Sequence, residues 1–271
     1  MRRGIFSLLL TAALFLMAVC PLYLVAQSSS SSSQTAVSDP QAMIYANQAL
    51  VALEGTHQVS DVTLTGTAIR MAGSDVESGN ISLKALGTGD SLLDFSSPSG
   101  TRSEVRNLSN GPGGFWVGLD GVSHAMAAHN CMTDAVWFFP ALSILSQLSN
   151  PNLIANYIGR ESKNGEAVYH LRFSRKSPTD TAGVFQQLTF EDFYLDASTF
   201  VPVAILFQAH PDDNASQDLS VEVDLSDYRP TNGILVPFRV TKLINGSTFL
   251  DISIQAVNLN TGLSESAFGV E

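Results

Sequence analysis

The residues best able to do chemistry lie together in one short stretch of the sequence. SHAMAAHNCMTD, residues 123–134, contains His124, His129, Cys131 and Asp134. Imidazole nitrogens and a thiolate are typical zinc ligands, so a zinc site is one interpretation. The spacing matches neither H-E-x-x-H nor paired C-x-x-C motifs. A complete site would need a further ligand from another part of the chain, such as Asp120, His170 or His210.

The alternative interpretation of this stretch is a polar connector between two elements of structure. Thr133 or Asp134 would then cap the element that follows, as short polar side chains do at helix starts. The sequence favours the connector. A metal-dependent enzyme using His124, His129 and Cys131 stays as the less favoured alternative.

Two further patterns could indicate catalysis. GVSHA, residues 121–125, resembles a degenerate nucleophile elbow, but that motif requires a strand-to-helix turn and Ser123 lies in a predicted β-hairpin. Glu191 and Asp192 could be a carboxylate pair, but neighbouring residues on a strand point to opposite faces. We therefore predict no catalytic residue, no cofactor and no enzymatic activity.

An apolar segment follows directly, beginning with Trp137, Phe138 and Phe139. These aromatic residues and the leucines after them would be ordinary core, or they would line a cavity for an apolar ligand. Burial of ligand surface stabilises such a complex by roughly 25 cal/mol per Å². The residues that we predict to line the cavity are Phe138, Leu142, Leu145, Leu148, Leu153, Ile154 and Trp116.

The N-terminus has the pattern of an export signal. Arg2 and Arg3 precede an apolar run, and Ala26 is a suitable small residue for cleavage, so residues 1–26 are predicted to be a signal peptide. The run is also long enough to remain as a membrane anchor. Cys20 offers a lipid attachment site, although Val19 is not the small residue expected before it. We expect an exported, periplasmic protein.

The composition of the rest of the chain indicates its domain organisation and limits the partners that it could bind. Residues 27–38 are a Ser-rich linker, and 39–271 form the single predicted domain. The formal net charge is −11, which argues against binding nucleic acid or anionic membranes. Cleavage would leave Cys131 as the lone cysteine, without an intramolecular disulfide. A monomer is expected.

Hydrophobic periodicity predicts the elements of this domain. Apolar residues at helical spacing between Pro40 and Gly55 indicate an amphipathic helix. About eleven short segments with strand alternation and tight turns indicate antiparallel strands. Between them, residues 138–149 and 150–159 are predicted as two helices. A sheet this long must curl, so the predicted fold is α+β: a strongly curved, half-open barrel with an N-terminal helix and a two-helix lid inserted mid-sheet.

This outline resembles the outer-membrane lipoprotein-sorting (LolA-like) family over nearly all of residues 40–270. FYLDASTFVPVAILF (193–207), VDLSDYRPTNGILVPFRV (223–240) and GSTFLDISIQAVNLN (246–260) are similar to its later strands. The resemblance implies an apolar hollow closed by helices that move to admit a lipid or acyl chain. It also implies a non-enzymatic periplasmic carrier whose partner is a hydrophobic ligand, either a lipid or an acylated polypeptide. The alternative is an interaction or sensor module for envelope proteins on the same fold, with the hollow filled by its own side chains.

Overall fold

A computed structural model of the chain describes residues 37–107, 112–133 and 135–268. The predicted signal peptide, Cys20, Asp134 and nearly all of the Ser-rich linker lie outside the described residues. Within the described ranges, no helix is both long enough and apolar enough to cross a membrane.

The core of the fold is one antiparallel sheet of thirteen strands, two more than expected, in the order β6-β5-β4-β3-β2-β1-β13-β12-β11-β10-β9-β8-β7. Strands such as β1, β11 and β13 show the alternation of buried and less buried residues that is typical of a strand with one face in the core. The strands are β1 Asp61–Ala72, β2 Asp75–Leu86, β3 Ser91–Ser97, β4 Gly100–Asn107, β5 Gly113–Val117, β6 Ser123–Ala125, β7 Leu153–Lys163, β8 Glu166–Arg175, β9 Glu191–Asp196, β10 Pro202–Ala209, β11 Leu219–Thr231, β12 Ile234–Ile244 and β13 Ser247–Leu259.

The sheet is curved and open. Strands β6 and β7 are its two edges, and they do not pair with each other in the described part of the chain. The two halves of the sequence join where β1 pairs with β13. The chain therefore leaves the sheet at one edge, crosses the hollow, and enters the sheet again at the other edge.

The N-terminal helix is confirmed as α1, Pro40–Glu54. The Asp39 carboxylate caps it by accepting a hydrogen bond from the Gln41 N–H at 2.8 Å, and Gly55 ends it with a φ of 59°. Its start is tied to β7, because Asp39 N–H donates to the Ala155 carbonyl at 2.7 Å. The buried residues of α1 are small, which lets it approach the sheet closely: Ala42, Ala46, Ala49 and Leu53.

The predicted two-helix lid is wrong. Residues 138–149 hold only two short 3-10 turns, Pro140–Leu142 and Ile144–Gln147, and residues 150–159 are largely the start of β7. Leucines three residues apart fit three residues per turn as well as an α-helix. Ser143 also interrupts a helix, because its hydroxyl donates to the Pro140 carbonyl at 2.6 Å. We call residues 135–148 the plug.

The plug lies in the hollow and completes the main core together with α1 and the concave face of the sheet. Its aromatic and aliphatic side chains are almost completely buried, except for the half-buried Leu148. A short helix, α2 (Val184–Leu188), and two further 3-10 turns, Ala128–Cys131 and Glu265–Phe268, were not predicted. The last turn places Phe268 on the outer face of the sheet, in a small second core with Leu92 and Val105.

Candidate ligand-binding site

The residues predicted to line a cavity mostly lie in the protein core. Phe138, Leu142 and Leu145 of the plug are at most 1% exposed, so the protein's own side chains fill the hollow. Leu153 and Ile154 are also buried, but on strand β7 rather than on a lid helix. Leu148 is half-buried, and Trp116 is 40% exposed at the rim. Contact of these residues with a ligand stays a prediction.

A cavity of about 230 Å³ opens at the rim beside Trp116. Its walls are largely apolar, with charged side chains on the same surface. Trp116 lies on β5, and the charged residues come from β1, β4 and β12. The residues that line it include Arg70, Leu93, Phe95, Arg102, Glu104, Trp116, Lys242, Phe249 and Leu250.

A second cavity, also of about 230 Å³, adjoins the first. The two share Glu104, Trp116 and Lys242 in their linings. Trp137, at the start of the plug, lines the second cavity, so this cavity reaches the segment that fills the hollow. We call the two adjoining cavities the mouth.

Strand β4 contributes three of the charged residues of the mouth. Alternation along this strand places Arg102, Glu104 and Arg106 on one face and Val105 on the other, where Val105 packs in the outer core with Phe268. Most strands present apolar residues to the hollow, whereas β4 presents three charged ones. The pattern of charges at every second position of TRSEVRN could have identified this face from the sequence. The charged residues of the mouth, such as Arg102 and Lys242, were missed, whereas Trp116 and Trp137 were among the aromatic residues considered for the cavity.

Two arginines of the mouth share one carboxylate. Glu77 Oε2 lies 2.7 Å from Arg102 Nη1 and 3.3 Å from Arg70 Nη1. Desolvation raises the pKa of Glu77, but the interactions with Arg102 and then Arg70 outweigh it and hold this pKa below its ordinary value. Glu77 is therefore ionised at neutral pH and compensates one of the two guanidinium charges.

Lys242 lies over the plug. Its ammonium nitrogen is 4.4 Å from the centroid of the Trp137 ring, a cation–π contact. Within the described ranges, no carboxylate oxygen lies within 4.0 Å of this nitrogen. Desolvation lowers the pKa of Lys242, Glu104 opposes that shift, and Arg106 adds to it. The mouth thus holds a half-buried cation without a direct counter-charge.

The polar stretch that first suggested a metal site is a connector. His124 stacks on Trp116 with 4.1 Å between ring centroids, and His129 Nε2 hydrogen-bonds the Pro211 carbonyl at 3.1 Å. Cys131 is fully buried, and burial raises its thiol pKa. Among the described residues, no three His, Cys, Asp or Glu side chains are grouped so that they could hold a metal ion.

No family sequence profile matches the chain, and no curated protein matches it in sequence. Solved structures do match it. A domain assigned to outer membrane lipoprotein sorting, from Vibrio parahaemolyticus, has 14% identity and a TM-score of 0.55, over 84% of this chain and 96% of the other. A LolA superfamily protein from Nitrosomonas europaea has 10% identity and a TM-score of 0.53, over 84% and 97%.

A DUF1329 family protein from Desulfovibrio piger has 12% identity and a TM-score of 0.56, again over 84% of this chain and 97% of the other. Identities this low establish the fold alone. The resemblance seen in the sequence is thus confirmed at the level of architecture, and the chain has a LolA-like fold.

Proposed function

We propose that this protein is a non-enzymatic periplasmic carrier that binds a lipid, an acyl chain or an acylated polypeptide in its half-barrel. The observation that carries the proposal is the apolar-walled mouth, which opens directly beside a plug that fills the hollow. Similarity to a domain assigned to outer membrane lipoprotein sorting supports it. The signal-like residues 1–26 support export, and the protein would act as a monomer.

The size of the mouth implies that the plug moves. Each cavity is about 230 Å³, whereas pockets for drug-sized ligands have roughly 300–1,000 Å³. An acyl chain longer than these two cavities would need the space that the plug occupies. In the described part of the chain, no sheet ladder includes residues 126–152, so the plug can leave without breaking strand pairing.

Exchange of the plug for a ligand would be close to balanced. Withdrawal of Phe138 and Leu145 exposes apolar surface, and an acyl chain that takes their place buries a comparable surface at roughly 25 cal/mol per Å². The net binding free energy is then a small difference between the cost of exposing the plug and the gain from burying the chain. Such a difference suits a carrier, which must release its ligand as well as bind it.

Quenching of tryptophan fluorescence tests the proposal. The chain has two tryptophans, so Trp116→Phe leaves Trp137 as the single reporter beside the plug. Titration with 9,10-dibromostearate should quench Trp137 saturably, because bromine quenches on contact, whereas stearate should compete without quenching. Mass spectrometry of lipids extracted from protein purified from its native host should show a co-purified amphiphile. Absence of both signals would refute the carrier.

The second candidate is an interaction or sensor module for envelope proteins. Complete burial of Phe139 and Leu145 favours it, since these side chains occupy the hollow as a core rather than as a surface lid. Hydrogen exchange separates the two functions. A permanent plug exchanges as slowly as strands β1 and β13, whereas a mobile plug exchanges faster than they do, and faster still when an amphiphile binds.

A further inference from the structure

The mouth carries an excess of positive charge although the whole chain has a formal net charge of −11. Arg70, Arg102 and Lys242 line the first cavity, and Glu104 is the one acidic residue among the described residues of its lining. Arg106 and Asp212 line the adjoining cavity, so the described linings of the mouth hold four cations and two carboxylates. An acidic protein with a cationic opening attracts anions to that opening, because the local field there differs in sign from the average field.

The carboxylates near these cations do not balance them. Glu77 is shared between Arg70 and Arg102, so it compensates one of the two. Glu104 lies 4.0 Å from Arg106, whose guanidinium also donates to the Thr133 carbonyl at 3.1 Å. One guanidinium and the Lys242 ammonium therefore remain without a carboxylate of their own, on the surface of one cavity.

The position of Lys242 makes an anion more favourable there than in open solvent. Its ammonium is half-buried against Trp137, where water screens charge less effectively. A charge in such a place is costly unless an opposite charge reaches it. The cation–π contact with Trp137 compensates it only in part, since such contacts contribute about 0.5–2 kcal/mol.

The rest of the cavity suits the apolar part of a ligand. Phe95, Phe249 and Leu250 form one wall, and Trp116 stands at the rim. A small inorganic anion would leave this wall without a partner. A molecule with an anionic end and a hydrocarbon chain would satisfy both surfaces at once.

We propose that the mouth selects amphiphiles with an anionic headgroup, a carboxylate or a phosphate, held by Arg102 and Lys242, with the chain directed toward the plug. This inference rests on the proposed carrier function and names the chemical class of its ligand. An uncharged amphiphile would use the same apolar wall and leave the two cations uncompensated, and a zwitterionic one would place a further positive charge beside them.

Binding of matched probes to the full mature domain tests the inference. Calorimetry would compare hexadecyl phosphate, hexadecylphosphocholine and inorganic phosphate, with both amphiphiles below their micelle-forming concentrations. We expect hexadecyl phosphate to bind at least about tenfold more tightly than hexadecylphosphocholine, because hydrogen bonds to charged groups contribute at that scale. Inorganic phosphate should not bind saturably.

Variants locate the effect in the mouth. Lys242→Met removes a half-buried charge at nearly constant volume, so the fold is retained, and Arg102→Met leaves Glu77 paired with Arg70. Each should reduce the preference for hexadecyl phosphate several-fold. The matched control is Lys84→Met, which removes one positive charge from the opposite face of the sheet, next to the inward-facing Leu83 and Ala85. It should leave the preference unchanged.

Each other outcome contradicts a different statement. Equal affinity for the two amphiphiles, or a preference that survives both mouth variants, overturns anion selection and leaves the carrier function intact. Failure of both amphiphiles to bind overturns the carrier function itself. Inorganic phosphate that binds as tightly as hexadecyl phosphate would show a site for free anions and not for an amphiphile.

Discussion

Truncation of one plug leucine should strengthen ligand binding while it weakens the fold. Leu145 in the plug and Leu171 on strand β8 are both 0% exposed and belong to the same core. Leu145→Ala and Leu171→Ala therefore remove the same atoms from equally buried positions. They differ in one respect: the plug must leave the hollow when a chain enters, whereas β8 stays in the sheet.

The size of the effect follows from this difference. A buried Leu→Ala substitution destabilises a protein by about 3 kcal/mol, so both variants should unfold at lower urea concentrations. In the ligand-bound state Leu145 has already left the core, and its truncation costs little there. The substitution therefore destabilises the ligand-free state by up to about 3 kcal/mol relative to the ligand-bound state. This difference makes the binding free energy more favourable by the same amount, which corresponds to an affinity increase of up to about a hundredfold. Leu171→Ala should change the affinity much less.

The assay combines urea unfolding with quenching of Trp137 by 9,10-dibromostearate in the Trp116→Phe background. Similar losses of stability with tighter binding only for Leu145→Ala would support a plug that is displaced. Weaker binding by Leu145→Ala would instead mean that Leu145 lines the bound ligand, as the sequence predicted. Unchanged binding in both variants would refute displacement of the plug.

Four other outcomes are expected. Asp61→Ala should lower the free energy of unfolding by about 1–3 kcal/mol in urea at pH 7, because the buried Asp61 carboxylate accepts hydrogen bonds from the Thr261 N–H and hydroxyl at 2.8 and 2.9 Å. Burial raises the pKa of Asp61, but these hydrogen bonds outweigh burial and lower it. The stabilisation from Asp61 is therefore present above about pH 4 and is lost as pH falls through the folded pKa. Burial lowers the pKa of His170, but its two carboxylate partners outweigh burial and raise it. His170 should therefore titrate by NMR above about 6.5, the ordinary value for histidine. The stabilisation that it contributes should be complete below that pH and lost as pH rises through the folded pKa. Cys131 should react with a thiol reagent far more slowly in native protein than in urea, since it is buried and its pKa is raised. His129→Ala should leave the affinity for hexadecyl phosphate unchanged.

Each of these expectations has a contradicting result. Equal acid sensitivity of the wild type and Asp61→Ala would mean that the carboxylate contributes nothing to the fold. A pKa of His170 below about 6.5 would mean that burial lowers this pKa by more than its two carboxylate partners raise it. These partners are Glu161 at 2.9 Å and Asp192 at 3.1 Å. Rapid labelling of native Cys131 would show that the connector opens readily, and loss of binding in His129→Ala would return the histidines to the functional site.

Local sequence patterns determined the elements that depend on local contacts. The cap and glycine around α1, and the alternation in strands such as β11, predicted helix and strands because buried faces repeat with the period of each structure. The curved sheet followed from its length. The resemblance to the lipoprotein-sorting family added the half-open form, and the structure confirms a curved, open antiparallel sheet with thirteen strands rather than about eleven.

Only the tertiary structure decided how the inserted segment folds. The spacing of Leu142, Leu145 and Leu148 is compatible with an α-helix, but this segment must connect two opposite sheet edges, β6 and β7, across a hollow. Burial against the surrounding core then outweighs helical hydrogen bonding, and Ser143 and Pro140 form tight turns instead. The segment predicted as the second helix pairs with β8, because an open sheet edge offers backbone partners along its whole length.

The sequence could not predict the mouth, because this site also depends on contacts between segments that are distant along the chain. Arg102 and Lys242 lie on strands far apart along the chain, and only the curvature of the sheet places them around one cavity. The sequence by itself determined that the protein has an apolar segment and an acidic surface. The tertiary structure decided that the apolar segment fills the hollow and that the cations gather at its opening, because both depend on contacts between distant strands that no local pattern encodes.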